Sequence, residues 1–121
     1  MKLVTYDELL NKIETYIHKK SDLKRINEAH ELAAFKHEGQ FRKSGDKYIT
    51  HPVAVAYILA ELSSGPNTLI AALLHDVVED TETSLDDIET KFGEDVRTLV
   101  DGVTKINRLS FSTEISQADN H

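Results

Sequence analysis

The stretch Leu69-Ile70-Ala71-Ala72-Leu73-Leu74-His75-Asp76-Val77-Val78-Glu79-Asp80 decides the fold. Between Leu69 and Val78 it is apolar except at His75 and Asp76, and Pro66 shortly before it suits the first turn of a helix. A helix that is apolar on nearly all sides needs neighbours all round. We therefore predict that this helix lies at the centre of the protein.

A second apolar helix is predicted between Val53 and Leu62. Pro52 suits its first position, which makes His51 its N-cap or the residue beside it. Because this helix is also apolar on most sides, it too is predicted to be central.

Four more helices are predicted from apolar residues at helical spacing and from residues that begin or end helices. They are marked, in chain order, by a cap at Thr5 with an apolar face reaching Tyr16 and Ile17, a cap at Ser21 or Asp22 with an end near His37, a cap at Ser84 with an end at Gly93, and a start near Glu94. Ser112–His121 resembles the start of a further helix. No segment alternates with period two for long, so the fold class is all-α, a bundle of about six helices with two central apolar ones.

Composition limits the function. The length of 121 residues suits one domain, and the net charge of −7 argues against a nucleic-acid partner. With no cysteine, disulfides and thiolate metal sites are excluded. The longest apolar run is too short to cross a bilayer and the first 20 residues do not resemble a signal peptide, so we expect a cytoplasmic protein with no membrane partner.

The end of the central helix carries four side chains that bind metals or protons. On a helix, His75, Asp76, Glu79 and Asp80 fall within an arc of roughly 140°. Three carboxylates this close repel one another unless a cation lies among them, and at a helix C-terminus they also oppose the helix dipole. A divalent ion with nitrogen and oxygen ligands, such as manganese, iron or zinc, removes that conflict. The alternative is an acidic, solvated helix end.

Two further features bear on that choice. His51 enters the second central helix and would add a nitrogen ligand if it lay near His75. The basic loop Arg42-Lys43-Ser44-Gly45-Asp46-Lys47 is either a solvated turn, a phosphate clamp or a surface on which an arginine stacks against a base. His30 and His37 are predicted to serve in polar packing only.

Four blocks in this order resemble the N-terminal hydrolase domain of the RelA/SpoT alarmone synthetase/hydrolase family, which is of the HD type. They are Gly39-Gln40-Phe41-Arg42-Lys43-Ser44-Gly45, Tyr48-Ile49-Thr50-His51-Pro52, Leu74-His75-Asp76-Val77-Val78-Glu79-Asp80-Thr81, and Asp101-Gly102-Val103-Thr104-Lys105. The resemblance implies hydrolysis of the 3′-pyrophosphate of (p)ppGpp, giving GDP or GTP and pyrophosphate, with a synthetase domain adjacent in the parent protein.

The resemblance also implies roles for individual residues. His51, His75 and Asp76 would bind the metal, with manganese expected. Glu79 and Asp80 would position and activate the attacking water. The guanosine-nucleotide pocket would be lined by Arg42, Lys43, Ser44 and Tyr48.

At its C-terminus the chain departs from that family. Family domains continue with further helices, one of which carries a final aspartate ligand, and Asp119 lies too early to be that ligand. We therefore expect residues 1–121 to be an HD-type hydrolase domain that lacks its C-terminal helices. Reduced hydrolysis and self-association, through exposed surface of the third and fourth helices, would follow.

Two other functions are compatible with these residues. One is an HD phosphohydrolase that acts on another nucleotide. The other is a non-catalytic regulatory module that binds a nucleotide or a neighbouring synthetase domain.

Overall fold

Six helices form the part of the chain that this computed structural model describes, residues 3–105. They are α1 (Tyr6–Glu14), α2 (Lys20–Lys36), α3 (Thr50–Glu61), α4 (Pro66–Asp80), α5 (Leu85–Phe92) and α6, which covers residues 94–105. Within the described residues there is no strand, and Phe41 and Lys47 form one isolated antiparallel bridge. The predicted all-α class is confirmed, whereas the helix predicted to begin in Ser112–His121 lies outside the described residues.

Helix α4 forms the centre of the fold. Its nine consecutive residues from Leu69 to Val77 are all buried, and it packs against both α2 and α3. Pro66 begins the helix, as predicted, and the Thr81 hydroxyl donates a hydrogen bond to the Val77 carbonyl at its end. Since each fully buried leucine contributes about 1.5–3 kcal/mol, this one helix supplies much of the hydrophobic stabilisation.

Helix α3 lies between α1 and α4 and buries a narrow face made largely of small residues. Val53, Ala56 and Ala60 are buried, whereas Ile58 is 60% exposed and Leu62 is 74% exposed. An exposed apolar surface was expected on the third and fourth helices. It is present on α3 but not on α4, where every large apolar residue is buried or half-buried.

The predicted caps of α1 and α5 are confirmed. The Thr5 side chain accepts a hydrogen bond from the Glu8 amide, and Ser84 and Asp87 form a reciprocal capping box. Gly93 ends α5 with a φ of 101°, a left-handed value that favours glycine.

The predicted starts of two helices were wrong. Helix α2 begins at Lys20, with Lys19 as its N-cap, so the predicted caps lie in the first turn, where the Asp22 charge suits the helix dipole. Helix α3 begins at Thr50, so Pro52 is its third residue; proline is tolerated there because first-turn amides have no intrahelical partner.

The apolar face of the first helix also reaches beyond the helix itself. Helix α1 ends at Glu14, and Tyr16 and Ile17 follow it in the turn. Ile17 is still buried, and the Tyr16 hydroxyl donates a hydrogen bond of 2.7 Å to the Ser64 carbonyl. Apolar periodicity therefore predicted which residues reach the core better than it predicted where the helix stops.

None of the helices within residues 3–105 has the length and hydropathy needed to cross a membrane.

A stacked ring pair joins α1 to α2. The rings of Tyr6 and His30 lie 3.7 Å apart and 8° from parallel, and the Tyr6 hydroxyl donates a hydrogen bond to the Asn27 side chain. Burial, together with the charges of nearby carboxylates, raises the pKa of Tyr6 to about 12. Burial lowers the pKa of His30, and the neighbouring Glu31 charge only partly opposes this shift.

This pair predicts an acid-sensitive contribution to stability. Because the folded state disfavours protonated His30, the unfolded chain takes up a proton at this residue more readily than the folded chain does. The contribution of neutral His30 to the free energy of unfolding is therefore complete above pH 6.5, the ordinary histidine pKa, and is lost as the pH falls below it. The variant His30→Phe keeps a flat ring that does not titrate. Urea unfolding at pH 8, 6.5 and 5 should show its free energy of unfolding rising relative to that of the parent as the pH falls. A difference that stays constant across this range would contradict the prediction.

Candidate metal centre and nucleotide pocket

The carboxylate of Asp76 is the centre of a buried polar cluster. One of its oxygens lies 3.2 Å from His75 Nε2, and the other lies 3.7 Å from His51 Nε2. The second oxygen also accepts a hydrogen bond of 3.0 Å from the Tyr48 hydroxyl. One potential ligand atom from each of His51, His75 and Asp76 lies within 4.8 Å of the others, which is close enough for one metal ion to bind all three.

The packing of α3 against α4 brings these side chains together. His75 and Asp76 lie in the buried part of α4, and His51 lies in the first turn of α3. The imidazole rings of His51 and His75 are 6.0 Å apart. The closeness of these two histidines, which the sequence could only suggest, is therefore present in the structure.

The hydrogen bonding of His75 fixes which nitrogen faces Asp76. Its Nδ1 lies 2.7 Å from the Ala72 carbonyl, and because a carbonyl can only accept, Nδ1 must carry the proton. In the neutral ring, Nε2 then directs a lone pair at a carboxylate oxygen 3.2 Å away. Two acceptors face each other, and either a proton or a cation between them removes the repulsion. A histidine that donates its other N–H to a backbone carbonyl is also the usual arrangement of a metal ligand.

The electrostatic surroundings of His51 favour its neutral, ligand-competent form. Burial lowers the pKa of His51, the Asp76 charge opposes this, and Arg42 and two nearby histidines add to the lowering. Neutral imidazole is the form that binds metal ions. With two nitrogens and a carboxylate, the donor set fits a divalent ion such as manganese, iron or zinc.

The predicted row of four side chains on α4 divides into two parts. His75 and Asp76 are buried, whereas Glu79 and Asp80 are exposed in the last turn. Asp80 lies close enough to Tyr48 to affect its pKa. Burial raises the pKa of Tyr48 most, and the charges of Asp76 and then of Asp80 raise it further. Tyr48 therefore stays protonated and acts as a donor. Glu79 lies outside the three-residue cluster.

A cavity of about 590 Å³ opens beside this cluster. Its lining consists of Leu3, Phe41, Arg42, Lys43, Ser44, Asp46, Tyr48 and His51. All four residues predicted to bind a nucleotide are among them. His51 lines the cavity and also belongs to the cluster of potential metal ligands, so the two features are continuous.

The basic loop that forms one side of the cavity is an ordered hairpin. The Phe41–Lys47 bridge closes it, the Arg42 amide donates to the Asp46 carbonyl, and Gly45 adopts a φ of 93° at the turn. The Ser44 hydroxyl donates a hydrogen bond of 2.8 Å to the Asp46 carboxylate. Arg42 and Lys43 are exposed beside the cavity, so both cations are available to an anionic ligand.

Sequence reasoning missed three features of this site. Tyr48 was expected only to line the pocket, but it also donates to Asp76. The apolar lining by Leu3 and Phe41 was not predicted. The burial of His37 against the Tyr48 ring was not predicted, although the polar packing expected of this residue is present in its contact with the Gln40 side chain. No spacing within the sequence predicts these contacts, because each joins residues of different elements.

The HD domain family matches residues 29–121 of the chain, and the chain belongs to that family. HD domains depend on metal ions, which agrees with the buried group of two histidines and one aspartate.

Several similar proteins belong to the RelA/SpoT group, as the resemblance implied. The chain is 47% identical over 116 residues to the bifunctional (p)ppGpp synthase/hydrolase SpoT of Escherichia coli, an alignment that covers 95% of this chain and 16% of that protein. It is 45% identical over 118 residues to the guanosine-3′,5′-bis(diphosphate) 3′-pyrophosphohydrolase of Aquifex aeolicus, covering 98% of this chain and 16% of that protein. It is 54% identical over 108 residues to a GTP pyrophosphokinase of Streptomyces coelicolor, covering 89% of this chain and 12% of that protein. The chain thus spans only a small part of each of these relatives.

The geometry predicts that a divalent ion stabilises the folded chain through Asp76. In thermal unfolding, manganese should raise the melting temperature of the parent chain, because a ligand at 100 times its Kd adds about 2.7 kcal/mol of stability. The isosteric variant Asp76→Asn should lose this shift. The variant His18→Ala, which changes an exposed histidine far along the chain from the cluster, should keep it. An equal shift in Asp76→Asn would show that manganese binds elsewhere.

Proposed function

We propose that this chain carries a metal-dependent hydrolase centre that removes the 3′-pyrophosphate of (p)ppGpp, giving GDP or GTP and pyrophosphate. The observation that carries the proposal is that His51 lines the basic cavity and also belongs to the cluster of potential metal ligands. A polyphosphate held by the cations of the cavity would reach the metal site directly. The names of the Escherichia coli and Aquifex aeolicus relatives support this substrate.

His51, His75 and Asp76 are the proposed metal ligands, and manganese is the proposed ion. When bound, such an ion would polarise a phosphoryl oxygen and lower the pKa of a coordinated water. The protonated Nδ1 of His75, bonded to the Ala72 carbonyl, keeps Nε2 directed at the site. The Tyr48 hydroxyl donates a hydrogen bond to the other oxygen of Asp76, the one that does not face His75.

The remaining residues are proposed either to bind the nucleotide or to position and deprotonate the attacking water. Arg42 and Lys43 neutralise the phosphates, and an arginine can do so with two parallel hydrogen bonds. Ser44 and Tyr48 line the same cavity and complete the proposed nucleotide pocket. Glu79 and Asp80, open to solvent at the end of α4, would orient the attacking water and accept its proton.

In the proposed reaction one bond forms and one breaks. The water oxygen bonds to the phosphorus attached to the ribose 3′ oxygen, and the bond between that phosphorus and the 3′ oxygen breaks. Pyrophosphate leaves with the water oxygen, and the 3′ oxygen takes up a proton to become a hydroxyl.

The context of the chain is part of the same proposal. We infer that residues 1–121 are an HD-type hydrolase domain whose further helices and final aspartate ligand belong to a longer, cytoplasmic protein. That protein would also carry a synthetase domain, since one similar protein is named a GTP pyrophosphokinase. The exposed Ile58 of α3 and Leu62, which follows that helix, are the proposed surface for self-association of the chain alone.

Pyrophosphate release from ppGpp with manganese tests the reaction. We expect slow release by the 121-residue chain, faster release by a longer chain that continues through the implied helices, and none by the double variant His75→Ala, Asp76→Ala of either. If other nucleotides were hydrolysed faster than ppGpp, the chain would be a phosphohydrolase of different specificity. Nucleotide binding without turnover in the longer chain would instead favour the regulatory module.

The cavity predicts a selective role for Arg42 in substrate binding. Loss of a hydrogen bond to a charged group costs about 1.5–3 kcal/mol, so Arg42→Ala should raise KM for ppGpp roughly 10- to 150-fold. Arg97→Ala is the matched control, because among residues 3–105 Arg97 forms its ion pairs with carboxylates of α5 on the surface. An unchanged KM in Arg42→Ala would show that Arg42 does not bind the substrate.

A further inference from the structure

His37 is a buried histidine beside the proposed metal centre that has no assigned role. It follows the last residue of α2 and is only 2% exposed. Its Nδ1 lies 3.2 Å from the side-chain oxygen of Gln40, and its ring lies 4.7 Å from the ring of Tyr48 at an angle of 41°. Within the part of the chain that the structure describes, its Nε2 has no hydrogen-bond partner.

Stability does not explain a histidine at this position. A buried nitrogen without a hydrogen-bond partner destabilises the folded state, and such atoms are rare in folded proteins. An apolar side chain of similar size would fill the same space without that cost. We therefore look for the reason for a histidine here in the contact that its flat ring makes with the ring of Tyr48.

Gln40 and His37 together fix the position of Tyr48. The Gln40 amide donates to the His37 carbonyl at 2.9 Å, and the Gln40 carbonyl accepts from the Tyr48 amide at 3.0 Å. The Gln40 side chain in turn meets the imidazole of His37. The backbone of Tyr48 is thus held by Gln40, and its ring is held by His37.

Tyr48 transmits this arrangement to the buried carboxylate. Its hydroxyl donates to one oxygen of Asp76, which sets the rotation of the carboxylate plane and hence the direction of the oxygen beside His75. Partners of this kind orient metal ligands, and their loss typically lowers metal affinity about 10- to 100-fold.

We propose that His37 is a positioning residue of the metal centre, acting through Tyr48 on Asp76 without touching the ion or the substrate. This inference rests on the proposed metal centre. It assigns to His37, Gln40 and Tyr48 one task, which is to hold the carboxylate in the orientation that binds the ion.

The test compares two histidines, one within α2 and one directly after it, whose rings each contact a tyrosine ring. His37→Leu removes the ring beside Tyr48, and His30→Leu removes the ring beside Tyr6 as the matched control. Isothermal titration with manganese alone, without nucleotide, measures affinity, and urea unfolding measures stability. We expect His37→Leu to bind manganese about 10- to 100-fold more weakly with undiminished stability. His30→Leu should bind it as the parent does.

A double-mutant cycle with Tyr48→Phe tests the path. Tyr48→Phe keeps the ring but removes the hydroxyl, so it should lower affinity by itself, and His37→Leu should then change affinity less than about twofold further. Independent, multiplying effects would overturn the inference, and so would parent-like affinity in His37→Leu. If His37→Leu fails to fold, His37→Gln replaces it and should also bind weakly, because it lacks the flat ring; parent-like binding by it overturns the inference.

The same titration separates the two proposals. If the parent chain binds no manganese, the proposed metal centre fails and the role of His37 fails with it. If the parent binds manganese and the His37 variants bind it equally well, only the role of His37 is wrong.

Discussion

The buried carboxylate of Asp76 is the constraint on which the rest of the structure depends. A charge taken out of water is costly unless it is paired and hydrogen-bonded, and the polar groups that surround this carboxylate come from three different parts of the chain. His75 is its neighbour on α4, His51 comes from α3, and Tyr48 comes from the turn that follows the basic hairpin. The packing of α3 and of the hairpin around the end of α4 is therefore coupled to one side chain. Loss of that arrangement would leave a buried charge without partners.

Helix α4 satisfies this constraint because it is buried along most of its length. Its apolar residues from Leu69 to Leu74 are buried immediately before His75, so the backbone that carries the site cannot shift without disturbing the core. The Ala72 carbonyl then sets the tautomer of His75 from within the same helix. A site held on a packed helix keeps its geometry better than one held on loops.

Much of this could be predicted from the sequence, and the failures have a common physical cause. Pro66, Ser84 and Gly93 mark helix ends by local chemistry, and those boundaries were right. The start of α2 at Lys20 was missed, because its N-cap makes no side-chain hydrogen bond and so leaves no signature in the sequence.

The same division applies to the site. Helical spacing placed His75, Asp76, Glu79 and Asp80 on one side of α4, but it could not show that the first two are buried and the last two exposed. Contacts between elements, such as Tyr48 with Asp76 or His37 with Tyr48, depend on how the helices pack. The family resemblance predicted which residues line the pocket. It did not predict the hydrogen bonds that orient them.

The distribution of charge explains how an acidic protein can bind a polyphosphate. With a net charge of −7, the chain as a whole repels anions, so attraction must come from a local concentration of cations. The hairpin provides these cations, because Arg42 and Lys43 are exposed at the cavity. The one acidic side chain of this loop, Asp46, accepts a hydrogen bond from the Ser44 hydroxyl within the loop itself. Beside the cavity, next to His51, lies the buried carboxylate of Asp76, and a bound cation would change the charge there from negative to positive. Binding of the ion and binding of the phosphates would then support each other, since each supplies charge that the other lacks.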